Sequence, residues 1–501
     1  MPIKKKKINE KQLTAQEFVN VEDIDNDLLY SRDGYLFGYL KIRASDNRLL
    51  SDMERSMHIS SLTSALAPEK EPWQLLSIPR TINTLGMLEH LTTLRRNTDE
   101  DARLKLLNGE IAALQDMAAE GTKEPVIILK CWTRATRGAD KDLHKRLREL
   151  RAHLNENRVT AEELGTREIT YICKLFADLS VYQAASEQFD TKSDIPILPQ
   201  EKRLFTRKGE PDTAAQELIS LLTPVSGLKF GVSRVTDGDV VGRIYAVVRY
   251  PAEIDYNWLV DCMNASDCIT SIGYVPGNAT DLGNALSRSM RRASVDANTE
   301  SDARQRKRFE HQAQDADQLI EEMDYQNAAI GHMTLLVMPF TSNEEQLEDV
   351  CRQCVGRFAR RRMKLKALGN MQKAAFKQLS PYYINQPEIE NMVRHIMPLR
   401  TLMGGAPMTV NMFRDDNGYY FARTMDGGII SLDLLYRGGD RTNGNIVCTG
   451  MAGRGKSTAL KHMSFRKKHQ IQKRLLINIW HQLYCLKSSV TQAFSLVPQN
   501  N

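Results

Sequence analysis

The sequence predicts an α/β protein, with an N-terminal α+β region that contains mixed sheets and a long helical arm. Short apolar runs alternate with amphipathic stretches before residue 400, as expected of strands and helices that share a core. Between residues 228 and 360 the element order is β-β-α-β-α-β-α, which favours a mixed sheet with helices on one face. A glycine-rich loop at residues 450–458 lies between an apolar run and a helical pattern, which indicates a further α/β unit.

Composition and charge narrow the class of protein. Apolar residues make up 42% and charged residues 26% of the chain, a balance typical of globular proteins. The net charge of +6 does not mark a nucleic-acid-binding surface, because the excess lies in one tail and the rest is close to neutral. The tail 461–501 contains no Asp or Glu and seven basic residues: Lys461, Arg466, Lys467, Lys468, Lys473, Arg474 and Lys487. Direct nucleic-acid binding is therefore not supported.

The sequence predicts a cytoplasmic protein. No apolar stretch follows the N-terminal "MPIKKKKINEKQ", unlike a secretory signal, and the apolar runs are too short to span a membrane. The eight cysteines lack a framework spacing, as expected of reduced thiols. We interpret the lysine run as a solvated, frayed terminus, and attachment to anionic lipid is the alternative.

Residues 1–19 are predicted to be a basic flexible terminus and residues 20–212 an α+β domain. Within this domain "YLFGYLKIR", "WQLLSIPR" and "PVIILKCWT" have the pattern of strands. "RSMHISSLTSALA" and "DKDLHKRLRELRAHLNEN" have the period of amphipathic helices. The polar, proline-containing residues 190–212 are interpreted as a linker or exposed loop.

Residues 213–405 are predicted to be a mixed α/β domain. "LKFGVSRV" and "VGRIYAVVRYP" flank Asp237-Gly238-Asp239, which predicts a β-hairpin. The long insertion 282–326 is helical in composition but has few large apolar residues, so we expect a helical arm with a thin apolar stripe. A solvated helix and an arm that contacts a partner both fit this pattern.

Two features of the helix that begins near Glu344 have more than one interpretation. Cys351 and Cys354 form a lone CxxC on its apolar stripe, which favours core packing over metal or redox chemistry. A basic face comes next and is interpreted as solvated, with docking to anionic lipid, nucleic acid or an acidic partner as the alternative: Arg357, Arg360, Arg361 and Lys364.

The candidate site is "GMAGRGKST", which matches G-x-x-x-x-G-K-[ST] in full, and a chance glycine-rich turn is the weaker interpretation. "NIVCT" before it has the pattern of a buried strand and "KSTALKHM" after it that of a helix start. Glycines let the backbone wrap a phosphate, with N–H groups directed at its oxygens. Lys456 is predicted to reach the β- and γ-phosphates of ATP, and the Ser457 hydroxyl to ligate Mg²⁺. The predicted nucleotide-binding residues are Gly450, Gly453, Gly455, Lys456, Ser457 and Thr458.

Hydrolysis of ATP needs more than this loop. A P-loop ATPase also needs a carboxylate that holds the metal and a residue that orients water, both after the loop in sequence. The apolar run "RLLINIW" is followed by His481, and no acid comes later. No catalytic residue is therefore assigned, and enzyme activity is left open.

On these residues the sequence resembles the conjugal-transfer ATPases of type IV secretion systems, the large VirB-type or TraE-like ATPases. The resemblance is one of layout over residues 20–465 and rests on "VEDIDNDLLYSRDGYLFGYLKI", "FARTMDGGIISLDLL" and "GNIVCTGMAGRGKSTALKHM". It implies that residues 406–465 begin a RecA-like P-loop domain that binds ATP and Mg²⁺. It also implies an ATPase peripheral to the inner membrane that assembles with itself and with other secretion components, and that powers pilus assembly or transfer of DNA or protein.

The last residues depart from that family. Its members have, after the loop, an apolar strand that ends in an Asp-Pro-x-x-Glu-Tyr-like segment, whereas this chain has "RLLINIWHQLY". Residues 466–501 are interpreted as an atypical acid-free tail, produced by a shifted frame or premature end near Phe465. We therefore expect a truncated member of the family with little hydrolysis. The alternative is a non-enzymatic interaction module that binds secretion partners or a membrane surface.

Overall fold

The computed structural model describes most of residues 18–463. The residues left out within this span are 44–49, 82–84, 100, 120–122, 158, 178–212, 224–226, 238–239, 252–253, 255, 327, 410–412, 416–417, 424–428, 434–435, 437–447, 449–450, 452, 454 and 462. The chain divides into two compact units, of which the first is Met1–Asn83, Ala118–Asn411 and Met425–Gly428, as far as these are described. The second is Thr84–Met117, Met412–Thr424 and Ile429–Asn501, to the same extent.

Strands and helices alternate along both units. The strands are β1 (Asp23–Asp25), β2 (Leu28–Tyr30), β3 (Tyr35–Arg43), β4 (Trp73–Thr81), β5 (Lys123–Arg134), β6 (Thr160–Glu163), β7 (Leu228–Phe230), β8 (Val235–Asp237), β9 (Val240–Gly242), β10 (Tyr245–Arg249), β11 (Cys268–Pro276), β12 (Ile330–Thr341), β13 (Lys364–Ala367), β14 (His395–Pro398), β15 (Phe413–Arg414), β16 (Tyr419–Arg423) and β17 (Ile429–Leu432). The helices are α1 (Asp52–Leu66), α2 (Leu85–Arg96), α3 (Asp101–Ala119), α4 (Ala139–Glu156), α5 (Thr166–Ala177), α6 (Thr213–Leu222), α7 (Val260–Met263), α8 (Ala279–Thr299), α9 (Ala303–Gln326), α10 (Leu347–Arg360), α11 (Gln372–Leu379), α12 (Pro387–Val393), α13 (Leu399–Gly404) and α14 (456–461). This content confirms the predicted mixed α/β class.

One large open sheet organises the first unit. Its main path runs β1-β2-β3-β5-β4-β11-β12-β9-β8-β7, with β6 beside β3, β10 and β14 beside β12, and β13 beside β10. β4 pairs with β11 from Trp73 opposite Tyr274 to Ser77 opposite Thr270. Strands of the predicted domains 20–212 and 213–405 therefore lie in one sheet, while their predicted boundary falls in 178–212, outside the described residues.

The predicted mixed sheet on residues 213–405 is antiparallel in all its described strand pairs. For β11 and β12, the antiparallel pairing follows from the connection between the two strands. Two consecutive helices, α8 and α9, lie between these strands, so the chain returns to the end of the sheet that it left. The predicted DG hairpin is found as β8 and β9, with Asp237 opposite Val240, although residues 238–239 of its turn are not described.

Helices cover both faces of this sheet, whereas the element order predicts one. On α10, the Arg357 side chain donates to the Cys268 sulfur at 3.7 Å. On α11, Phe376 belongs to the apolar cluster that contains Ile269. Since Cys268 and Ile269 are neighbours in β11, their side chains point to opposite faces. The sheet is therefore buried on both sides, which explains the nearly continuous apolar sequence of β12.

The main core includes the first described residues. Phe18 and Val19 are buried, and the Phe18 ring lies 5.6 Å from that of Phe376 and 5.7 Å from that of Tyr383. Residues 18 and 19 are thus part of the core and not of the predicted flexible terminus, because an aromatic ring here fills space over the sheet. Residues 1–17 and their lysine run lie outside the described chain.

The predicted helical arm is found as the antiparallel pair α8 and α9. Asn278 caps α8, since its side chain accepts a hydrogen bond from Thr280 N at 3.0 Å. Buried alanines, Ala293, Ala297 and Ala316, allow the two helices to approach closely. A small cluster of Leu282, Met323 and Ile330 joins the base of the arm to β12. Within the described chain, no helix has the length and hydropathy needed to cross a membrane.

Candidate functional site

A small mixed sheet precedes the glycine-rich loop 450–458 in the second unit. β15 runs parallel to β17, and β16 pairs antiparallel with β17, with Arg423 opposite Ile429. The hairpin predicted from "GYYFARTM" and "GIISLDLLY" is therefore found, although its turn, residues 424–428, is not described. Asp415, directly after β15, is hydrogen-bonded to the end of β17. Its carboxylate accepts from Asp433 N at 2.6 Å, and its own N–H donates to Ser431 O at 3.0 Å.

Two glycines of the loop have left-handed backbones. The φ angles are 75° at Gly453 and 81° at Gly455, values that L-residues other than Gly adopt at a cost. Apart from the chain neighbours, no heavy atom of the described residues lies within 4 Å of where a Cβ would stand at either position. The loop therefore uses glycine for its backbone conformation, which is what a loop that wraps a phosphate requires.

Lys456 lies over the start of the loop. Its Nζ donates a hydrogen bond to the carbonyl oxygen of Met451 at 2.6 Å, five residues earlier in the chain. The ammonium group is thus held beside the backbone that the two glycines bend. A cation in this place is positioned to compensate the charge of a bound phosphate.

The helix that follows begins within the motif. Residues 456–461 are helical, and Ala459 N donates to Gly455 O at 2.9 Å, which closes the first turn. Ser457 and Thr458 lie in this turn and are exposed. Their hydroxyl groups are therefore open to solvent at the positive end of a helix, where anions and their metal ions bind.

The structure thus brings together five of the six predicted residues in one loop and helix start: Gly453, Gly455, Lys456, Ser457 and Thr458. Gly450 lies outside the described residues, as does most of the apolar run before it. In the described part of the chain, no three His, Cys, Asp or Glu side chains gather as a metal site. The motif predicts Ser457 as a ligand of Mg²⁺, an ion that commonly takes its other ligands from water and phosphate.

The lone CxxC is part of the core, as predicted. Cys351 and Cys354 are both buried on the inner side of α10. The basic face beside it is partly used within the fold. Arg357 donates to Asp267 at 2.9 Å and Arg361 to Asp261 at 2.9 Å. These two guanidinium groups therefore stabilise the position of α10 and do not form a free docking surface.

A fully buried lysine, Lys130, lies in the middle of β5 and was not predicted from the sequence. Its Nζ donates to Ser380 O at 3.0 Å and to Tyr383 O at 2.8 Å, and Trp132 faces it with the ring centre 5.2 Å away. Burial lowers the pKa of Lys130 to about 7, against a smaller opposing effect of the Cys173 and Cys131 thiols. The signal in the sequence was a single lysine inside the otherwise apolar "VIILKCW".

Comparison with known proteins gives one informative relative. No family model matches the chain. The chain is similar to an uncharacterized Bacillus anthracis protein, pXO2-09, at 24% identity over 248 residues. The match covers 49% of this chain and 38% of that protein, which is encoded on plasmid pXO2. The chain therefore spans well under half the length of the relative that it matches.

Proposed function

We propose that this chain carries the ATP-binding loop of a conjugal-transfer ATPase of the type IV secretion class. In this proposal the loop backbone around Gly450, Gly453 and Gly455 surrounds the phosphates, and Lys456 contacts the β- and γ-phosphates. Ser457 ligates Mg²⁺, and Thr458 lies beside it in the first helical turn. The plasmid origin of the relative is compatible with a role in transfer between cells.

One observation carries the proposal: the motif residues adopt the conformation that the motif needs. Gly453 and Gly455 have φ angles of 75° and 81°, and the Lys456 ammonium group lies 2.6 Å from a loop carbonyl. A chance glycine-rich turn would not require a lysine over the loop and a helix start at the same point. The coincidence of the three features favours a phosphate site.

The test is binding of MgATP to the 501-residue chain, measured by isothermal titration calorimetry. We expect Lys456→Ala to weaken binding by about tenfold or more, because it removes a charge-assisted contact to phosphate. Lys461→Ala is the matched control, since Lys461 is exposed on the same helix but outside the motif. Equal affinities of the two variants would contradict the proposal.

We expect binding without turnover from this chain. The sequence from Lys461 to Asn501 offers no carboxylate to hold the metal or orient water. Phosphate release by the wild-type chain should therefore equal that of Lys456→Ala. Steady release above the level of the variant would show that carboxylates elsewhere complete the site.

A second candidate function is a non-enzymatic interaction module. The first unit favours it, because this unit has its own large sheet and core. In this case the chain binds secretion components, or a membrane surface near the inner membrane, without use of nucleotide. Pull-down of an intact transfer ATPase by the chain, compared with a chain that ends at Gly444, measures this. Equal capture by both chains supports the module, and capture that needs the loop supports the first proposal.

A further inference from the structure

The arm formed by α8 and α9 has its charges separated along its length. Residues 288–310, which form the distal half, contain seven basic and four acidic residues. The proximal segments 279–287 and 311–326 contain six acidic residues and no Lys or Arg. One slender element of the first unit therefore has a basic end and an acidic base.

One side of α9 shows this separation most clearly. A stripe with alternating spacings of four and three residues runs beside the apolar line of Phe309, Ala316 and Met323, about 100° from it around the helix. Its members are exposed except for the half-buried Glu322, and they change from basic to acidic along the helix: Arg304, Arg308, His311, Asp315, Gln318 and Glu322.

These charges are not used inside the fold. Within the described chain, the Arg304, Arg308 and Asp315 side chains form no ion pair or hydrogen bond. Glu322 accepts a hydrogen bond from the neutral Gln318 at 3.1 Å. The stripe therefore offers both signs of charge to an external surface.

A second copy of the same stripe complements it when the two helices lie antiparallel. With a two-fold axis near residue 312, Arg308 of each copy faces Asp315 of the other. In the same register Arg304 lies opposite residue 319, between Gln318 and Glu322 of the other copy. Each contact occurs twice, as a two-fold interface requires. A parallel arrangement would instead place like charges opposite each other.

We propose that the charged stripe of α9 binds the same stripe of a second copy, so that the arms form an antiparallel pair. This surface is distinct from the nucleotide loop. The face is one helix wide and about 36 Å long, at 1.5 Å per residue for the 24 residues of α9. Stable interfaces bury about 1,200–2,000 Å² and have apolar centres, whereas this stripe is polar. The association is therefore weak and depends on salt.

The test is sedimentation velocity of the full 501-residue chain over a range of concentrations. At about 0.1 M salt, where the screening length is about 10 Å, a concentration-dependent dimer is expected, and at about 1 M salt, where this length is about 3 Å, the monomer prevails. Arg308→Glu and Asp315→Arg each replace two attractive contacts by two repulsive ones in the dimer. Each weakens association by about tenfold or more.

Mixing the two variants gives the sharpest result. The glutamate introduced in one chain then faces the arginine introduced in the other, and the two native residues also face each other. The mixture should therefore dimerise about as well as the wild-type chain, although neither variant does so alone. Arg148→Glu is the control, because Arg148 is exposed on α4 and carries the same change of charge. Far-UV circular dichroism verifies that all variants are folded.

Three outcomes would overturn the proposal. The first is a monomer at every concentration in low salt. The second is self-association that neither charge reversal weakens, or that the mixture does not restore. The third is a monomer that binds phosphatidylglycerol vesicles through Arg304 and Arg308, which would assign the arm to a lipid surface. None of these results bears on MgATP binding by the loop, so the two proposals fail separately.

Discussion

The glycines of the large sheet and those of the glycine-rich loop 450–458 differ in what a side chain would meet. A Cβ on Gly331, in β12, would stand 2.6 Å from the carbonyl oxygen of Val275 and 2.6 Å from the Tyr274 ring. A Cβ on Gly453 or Gly455 would meet no described residue within 4 Å apart from the chain neighbours, but both backbones are left-handed. The sheet uses glycine for space, whereas the loop uses it for conformation. Substitutions should therefore affect stability in the first case and ligand binding in the second.

The largest effect is expected from Gly331→Ala. A methyl group cannot move away from a backbone carbonyl at this distance unless the β11–β12 register shifts, and such overpacking costs about 1–3 kcal/mol or more. We expect the free energy of unfolding, measured in urea, to fall by about 3 kcal/mol. MgATP affinity should change little, since the substitution lies in the other unit.

Gly356→Ala is the matched control for this prediction. Gly356 lies within α10, and apart from the helix's own backbone no described residue has a heavy atom within 4 Å of its would-be Cβ. Alanine is favoured over glycine in a helix by about 0.5–1 kcal/mol, so this variant should be slightly stabilised. Two variants with the same chemical change should thus shift the unfolding midpoint in opposite directions. A similar loss in both would show that close packing is not the cause.

The next largest effect is expected on the free energy of unfolding, to which Lys130 makes a contribution that depends on pH. Burial lowers the pKa of this lysine from 10.5 to about 7 in the folded chain. Between these two values the unfolded chain binds more protons than the folded one, so the stability of the wild type rises with pH in this window. Below about pH 7 both states are protonated and this contribution is constant.

Lys130→Met removes this titration and leaves the carbonyl oxygens of Ser380 and Tyr383 without their donor. We expect it to destabilise the fold, and the deficit relative to wild type should grow by about 1–3 kcal/mol from pH 7 to pH 9.5. Urea unfolding at both pH values measures the change. Lys141→Met is the control, because Lys141 is exposed on α4. If the deficit of Lys130→Met were the same at both pH values, the lysine would titrate normally.

The elements of the first unit were largely predictable because their signals are local. The apolar runs of β3, β4 and β5 and the periods of α1 and α4 follow directly from side-chain alternation. The joining of two predicted domains in one sheet was not predictable, because it depends on β4 pairing with β11, about 200 residues later. The residue pattern of one strand does not show which distant strand it pairs with.

In the candidate site, too, the locally determined features were predictable and the longer-range contacts were not. The G-x-x-x-x-G-K-[ST] spacing predicts its candidate residues, because a loop that binds phosphate needs a particular local backbone shape. Two sets of hydrogen bonds were not predictable from residue spacing, because they depend on side-chain conformation. Lys456 donates to the Met451 carbonyl oxygen. Lys130 donates to the carbonyl oxygens of residues 380 and 383. The arm was predicted as helical, but its external charge pattern becomes meaningful only once the apolar side of α9 is known.

The smallest effect is expected from Gly455→Ala, and it completes the comparison of the two kinds of glycine. At a φ of 81° an alanine costs about 1–2 kcal/mol, which the exposed loop avoids by changing its local conformation. Urea unfolding of the first unit should therefore be unchanged, whereas MgATP affinity should fall by about tenfold, since the N–H groups no longer converge on the phosphate. Calorimetric titration beside Lys461→Ala measures this. Unchanged affinity would show that the left-handed backbone at Gly455 is not needed for binding, and a lower unfolding midpoint would show that this glycine, too, serves the stability of the fold.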